Sequence, residues 1–416
     1  MKRSIPFILL LAACGGDDSS TSKACDPKAV GTICTIAGSG KSGYDGDDGP
    51  ALAARLSLPQ DTLMGPDGVL YILDWNNHRI RSLPGDGTIR HVAGRGELGG
   101  TLDDPANDDF NHPTGILLDS TGTKMFIAAW HNSKVRILDL PTGAITDYAG
   151  DGRRAYFGDE GPAATASMDL PASLAFNPNH ELVVMDQANQ VIRRIDSTGN
   201  IHRIAGKCVI DAPSPQGMGP CAPGVEPQAC PNNSGKFFCG TMAACSAPCS
   251  PSYGGDDGPA MSFRMSQPFG QSADPAGRIV YDPQGNLYFA DTENAIIRKI
   301  DTTGVVHRIA GTQGVPGYAG DGGPALSAQL NNPVDLALAS DGTLYFTDVY
   351  NHCVRAILPD QTITTIAGVC GESGYDGDGG PAAEATLKRP YGVELANNTL
   401  YIADTGNQVI RSVVLQ

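Results

Sequence analysis

Aromatic residues make up only 6% of this 416-residue chain, with 2 Trp, and charged residues only 18%. Basic residues are the scarcer sign: 29 Lys and Arg face 45 Asp and Glu, a formal charge of −16. A surface this acidic repels phosphate backbones, so nucleic acid is excluded as a partner. No stretch approaches the roughly 18 consecutive apolar residues of a membrane-spanning helix. No Cys-x-x-Cys pair occurs, which disfavours a zinc ribbon or a thioredoxin-like centre. No Ser/His/Asp or Cys/His set stands out by spacing, and no long segment shows helical periodicity. Glycine and proline are abundant instead, 52 and 30 residues, about a fifth of the chain against roughly 12% in average globular proteins. That composition excludes a helical bundle and favours short elements joined by tight turns.

The first 13 residues read as a removable signal peptide. Lys2 and Arg3 precede a short apolar run, Ile5 to Leu11, that ends in Leu11-Ala12-Ala13-Cys14. This resembles the bacterial lipoprotein signal, in which cleavage exposes the cysteine for acylation, so Cys14 is the expected lipidation site. Gly15 in place of Asp directs the expectation to the outer membrane of a Gram-negative bacterium. Residues 14–31 then form the lipidated cysteine and a tether whose first stretch, Gly15 to Ser22, is small and polar. Setting Cys14 aside leaves ten cysteines, an even number suited to an oxidising compartment. The lipid is the only membrane attachment expected.

Internal repeats decide the fold. The dipeptide Ala-Gly recurs at Gly38, Gly94, Gly150, Gly206, Gly311 and Gly368, at intervals of 56, 56, 56, 105 and 57 residues. A second marker, Asp-x-x-Asn before an apolar-Arg pair, starts at Asp74, Asp186, Asp291, Asp348 and Asp404, with Ala129 in the Asp place of the remaining copy. Two markers with one period and one shared insertion define six units. In the fifth, Val334–Leu338, Leu344–Thr347, Val354–Leu358 and Gln361–Ala367 are strand-forming runs separated by Gly, Asn and Asp turns. A lone four-stranded sheet cannot bury both faces, so the units pack around an axis. The chain opens with a solitary fourth strand at Ile33–Ala37 and stops after a third strand at Val409–Leu415. The first strand therefore completes the last sheet. The expectation is an all-β, six-bladed β-propeller of four-stranded antiparallel blades over residues 32–416, closed by its N-terminal strand.

Asn77-His78-Arg79-Ile80 and Asn351-His352-Cys353-Val354 resemble the Asn-His-Leu triplet of NHL-repeat propellers. The fuller pattern, Leu-Tyr-(Ile/Phe)-x-Asp-x-x-Asn, then Ile-Ala-Gly, then Gly-Asp-Gly-Gly-Pro-Ala, is similar to bacterial NHL proteins and the teneurin NHL domain. The resemblance implies a six-bladed propeller; members range from scaffolds to enzymes, so it leaves function open.

The repeated acidic connectors, such as Gly46-Asp47-Asp48-Gly49-Pro50 and Gly377-Asp378-Gly379-Gly380-Pro381, invite a calcium reading. The twelfth position of each loop is Leu56 or Leu387, so the bidentate acid is missing and a structural turn role is preferred. The Asp-x-x-Asn turns take the same reading, with the following Arg pairing an acid of its own or a neighbouring blade. Distinctive chemistry is expected where units differ, at the channel mouth. The second residue after each marker proline is Asp61, Gly115, Ser173, Gly270, Asp335 and Gly392, and Glu394 lies two residues further. Asp61, Asp335, Glu394 and Tyr391 are the candidate binding residues. The three carboxylates are also an alternative site for Ca or Zn on the axis. The histidines, including His91, His202 and His307 on fourth strands, are expected on exposed faces.

A cysteine-rich insertion at about 207–254 carries Cys208, Cys221, Cys230, Cys239, Cys245 and Cys249. Six cysteines allow 15 pairings, and the sequence does not choose among them. Lying on the mouth face, this stapled loop is a candidate for partner recognition or for capping the axis. The other four are expected to pair locally as Cys25–Cys34 and Cys353–Cys370. The leading expectation is a surface-tethered, monomeric, non-catalytic scaffold that needs no cofactor and binds a protein or glycan of the cell envelope through its mouth face. The alternative is an exported metal-dependent hydrolase or lyase.

Overall fold

Short β-branched and aliphatic runs alternate with left-handed turns throughout the computed structural model. It describes residues 25–96, 110–211, 228–229, 237–239, 249–270 and 273–415. The expected signal peptide, Cys14 and most of the cysteine-rich insertion lie outside the described residues. No α-helix occurs among those described, only three-residue 3-10 turns.

Six antiparallel sheets of four main strands form the blades. Blade one is Asp61–Met64, Leu70–Asp74, Arg79–Leu83 and Arg90–Ala93. Blade five is Pro333–Leu338, Leu344–Asp348, Cys353–Ile357 and Ile363–Ala367. Blade six takes Gly392–Ala396, Thr399–Asp404 and Val409–Val414 from the end of the chain and Ile33–Ala37 from its start, with Ile33 paired to Val413 and Thr35 to Arg411. The innermost strands lie side by side in chain order, and the last abuts the first. The ring is closed, as the terminal repeat register requires.

One apolar seam lies between each pair of neighbouring blades. Between blades three and four, Val183, Met185 and Ile192 meet Phe263, Met265 and Phe289; between four and five, Ile297 meets Leu336, Phe346 and Ile363. Truncating a buried Phe such as Phe289 or Phe346 to Ala costs about 3–5 kcal/mol through lost transfer energy and a residual cavity.

The Ala-Gly marker has a steric cause. Gly368 has φ +90°, and a Cβ there would sit 2.7 Å from the carbonyl oxygen of His352 and 3.0 Å from the Cα of Cys353. The fourth strand passes hard against the turn between strands two and three, and only glycine fits.

Cys25–Cys34 and Cys353–Cys370 are disulfide-bonded, as the sequence suggests, and Cys208–Cys249 staples the base of the insertion beside Tyr156 and Val191. The side chains of Cys221, Cys230, Cys239 and Cys245 lie outside the described residues.

Candidate functional site

The turns between strands two and three, and the connectors entering each innermost strand, gather on one face of the ring. Five of the six turns are built around a buried ion pair. Asp348 accepts the Asn331 N–H at 2.7 Å and Asn351 Nδ2 at 2.8 Å, and lies 3.2 Å from Arg355 Nη1. The same guanidinium reaches the connector carboxylate of Asp321 at 2.6 Å. Arg81, Arg193, Arg298 and Arg411 repeat this bridge to Asp47, Asp159, Asp256 and Asp378 at 2.6–2.8 Å. All five arginines are fully buried. The connector acids thus have an internal cation partner, the structural role preferred from sequence. Blade two, with Ala129 in place of the Asp, pairs Arg136 with Asp147 instead.

At the axis the strand register differs from the proline count. Ile279 pairs with Phe289 as Leu336 pairs with Phe346, which makes Arg278, not Gly270, the counterpart of Asp335. Eight extra residues after Pro268 shift the frame. Counting back from Leu287-Tyr288-Phe289 instead of forward from the proline finds Arg278. Its guanidinium crosses from blade four to blade one, where Nη1 lies 2.8 Å from Asp61 Oδ2, and it donates to the Thr114 carbonyl of blade two. All three side chains on this line, Asp61, Arg278 and Asp335, are buried.

Asp61, Ser173 and Asp335 also share a stitching role. Asp61 accepts the N–H of Ile116, Ser173 Oγ that of Ile279, and Asp335 that of Val393, each on the next blade's innermost strand. The alternating glycine has the complementary reason: a Cβ on Gly392 would sit 2.6 Å from the Gln60 carbonyl. Burial pushes the Asp61 and Asp335 carboxyls up, Asp335 to about 7, against the pull of Arg278. Glu394 lies along the same channel wall, accepting the Met64 N–H at 3.3 Å. Burial raises it to about 8, with the Asp61 and Asp335 charges adding to the rise. The three predicted carboxylates therefore feel one another's charge, but Asp61 and Asp335 do so across the guanidinium of Arg278. Among the described residues, no group of three or more His, Cys, Asp or Glu side chains is placed to hold a metal ion.

Tyr391 sits elsewhere. Its hydroxyl receives Arg389 Nη2 at 2.7 Å, and the same nitrogen lies 3.0 Å from Asp274, which also accepts Tyr350 Oη–H at 2.9 Å. Asp274 belongs to the segment entering blade four. On the opposite side Gln187 of blade three donates to the carbonyls of Pro268 and Asp274 and accepts the Ala276 N–H. The chain between Pro268 and Ala276, of which residues 271–272 lie outside the description, therefore bridges the mouth from blade three to blades five and six.

The sequence reading missed a second cluster. Both tryptophans and three histidines converge on the mouth over blades one and two. Trp75 and Trp130 lie 6.4 Å apart, and His112 sits 4.4 Å from Trp75, centroid to centroid. His131 stacks on Trp130 at 4.4 Å and 20°. His78 meets His112 edge-on at 4.3 Å. Trp75, His112 and His131 are partly exposed, Trp130 and His78 buried. Burial lowers all three histidines, His112 and His131 to about 4. Sequence distance hides the set: its members come from turns and connectors of adjacent blades.

The strands and turn of blade five, residues 330–357, match the NHL repeat family model. The chain is a six-bladed β-propeller with an NHL repeat in its fifth blade. The chain is 24% identical over 389 residues to mouse Teneurin-1, covering 79% of this chain and 13% of that protein. It is 22% identical over 383 residues to human NHL repeat-containing protein 2, covering 86% of this chain and 48% of that protein. The chain thus spans less than half the length of either relative. Among solved structures, an auxiliary nutrient binding protein from Bacteroides thetaiotaomicron superposes with a TM-score of 0.58 at 16% identity, over 91% of this chain and 75% of that chain. That likeness is one of fold.

Proposed function

We propose that this NHL propeller is a non-catalytic scaffold that binds a protein or glycan on its mouth face, over blades one to three. The observation that carries the reading is the convergence of Trp75, His112, Trp130 and His131 at the mouth, beside an axis filled by Arg278 and Asp61. Partly exposed aromatic and imidazole rings give a rigid, amphipathic contact surface at low conformational cost. A catalytic cation on the axis would have to displace the guanidinium that already neutralises Asp61. The nutrient-binding name of the structural neighbour is in keeping with a capture role.

We further infer that the protein acts as an exported monomer, tethered through Cys14 to the outer membrane. The three disulfides among the described residues support an oxidising compartment.

Immobilised glycan and peptide libraries, probed with the wild-type protein and with Trp75→Ala, test the binding reading. The expected result is a ligand whose binding falls at least tenfold in the variant while the melting temperature is kept. Full binding by a folded Trp75→Ala protein would overturn it.

A further inference from the structure

Two imidazole nitrogens in the mouth cluster approach each other unusually. Nδ1 of His112 and Nδ1 of His131 are 3.2 Å apart, and their ring centres are 5.0 Å apart at 76°. Imidazole nitrogens bound to one zinc-like ion at about 2.0–2.1 Å lie roughly 3.2 Å apart when the angle at the ion is about 100°, and their ring centres then lie about 5 Å apart. Both separations match that geometry. Asn111 adds a third donor, with Oδ1 2.9 Å from His112 Nδ1.

We propose that His112 Nδ1 and His131 Nδ1, with Asn111 Oδ1, form a site for one divalent first-row transition ion such as Zn²⁺, Cu²⁺ or Ni²⁺. Imidazole nitrogen with an amide oxygen suits these ions and not Ca²⁺ or Mg²⁺. The surroundings hold both rings in place, as supporting contacts do for metal ligands. His112 sits in the left-handed region at φ 51°, and its backbone N–H is donated to His78 Nδ1 at 3.1 Å. The backbone N–H of His131 goes to the Asn111 carbonyl at 3.2 Å, and its ring lies flat on Trp130. The Asn111 N–H is donated to Asn132 Oδ1 at 2.9 Å. Without an ion, the two Nδ1 atoms share one hydrogen. On binding, that hydrogen moves to Nε2 of the donating ring, so uptake near neutrality releases no net proton. His78 is not a ligand, because its Nδ1 is already an acceptor. Three donors leave positions for water, and the site is separate from the axial carboxylates. It also stands independently of the glycan or protein reading.

The only two tryptophans lie against these two histidines, so intrinsic fluorescence reports the site directly. The experiment titrates chelator-treated full-length protein with Cu²⁺, then adds Zn²⁺ as competitor, with no other ligand present. Saturable quenching with one equivalent, reversed by Zn²⁺, is expected. His112→Asn and His131→Asn should each weaken it at least tenfold, whereas His202→Asn should not. Pulsed EPR of the wild-type Cu²⁺ form should show two equatorial imidazole nitrogens, a readout that does not depend on the variants folding. Equal quenching in all three variants, or a spectrum with one imidazole or none, overturns the site. Trp75→Ala should retain the ion, which separates failure of this proposal from failure of the scaffold reading.

Discussion

Nδ1 of His78 accepts the backbone N–H of His112 at 3.1 Å. His352 does the same for Arg389 at 3.1 Å, Gln190 Oε1 for Gln267 at 2.8 Å and Gln408 Oε1 for Leu58 at 2.6 Å. In each case a residue in the left-handed cap of one blade's turn satisfies a donor on the connector entering the next blade's innermost strand. The middle letter of the family triplet is thus an inter-blade staple, and glutamine can replace it.

Removing the staple should be costly and glutamine should restore it. His78→Ala strands the His112 N–H, at about 1–3 kcal/mol for an unsatisfied buried donor. His78→Gln should recover most of that in urea denaturation. Equal loss in both variants would show that ring packing, not the acceptor atom, is what matters.

Arg278→Met should be strongly destabilising, by about 3–5 kcal/mol, since it leaves buried carboxylates without their cation. The loss should also depend on pH. The folded pKa values of Asp61 and Asp335 lie above the unfolded value, Asp335 at about 7. Their contribution is greatest below the unfolded pKa and is lost as pH rises through the folded one. Without Arg278 the rise is larger, so the variant's denaturation midpoint should fall more steeply than wild type between pH 5 and pH 8. Parallel profiles would remove the electrostatic account.

Asp348→Ala should cost a similar 3–5 kcal/mol, because Arg355, Asn351 and the Asn331 N–H all lose a buried acceptor. Asp147→Ala in blade two should cost under about 1 kcal/mol, its pair with Arg136 being half exposed. Comparable losses in the two would mean that the central Asp has no special role.

His202 is held between Glu160 at Nδ1 and Asp196 at Nε2, both at 2.7 Å, and His307 between Asp257 and Asp301. Their hydrogen bonds, chiefly to Asp196 and Asp301, raise both pKa values. These pairs stabilise the fold fully below the unfolded pKa of about 6.5, and their contribution fades as pH rises through the higher folded value. NMR titration should place both midpoints above 6.5, with Asp196→Asn lowering that of His202. A midpoint at or below 6.5 in the wild type would contradict the assignment.

The ring was legible in the sequence because its marker residues answer to backbone sterics. Gly368 and its counterparts admit no Cβ, so the period survives where side chains drift. The closing strand was legible because Ile33–Ala37 carries the fourth-strand marker with no first three strands before it. The axis was harder to read. Asp61 and Asp335 were identified as mouth residues, but the lengthened segment after Pro268 hid Arg278, and with it the cation between them. The tryptophan–histidine cluster was hidden for a different reason. Trp75 and Trp130 share the position after the Asp74/Ala129 marker, but the histidines come from three different positions, and only the stacking of blade one against blade two brings the set together.

The strand Ile33–Ala37 runs toward the mouth, and its first residue lies at the opposite end of blade six, where Gly31 bonds Val414 and Cys25 is fastened to Cys34. The described chain consequently begins at the outer rim on the underside of the disc, the face opposite to the one that carries Trp75 and His131.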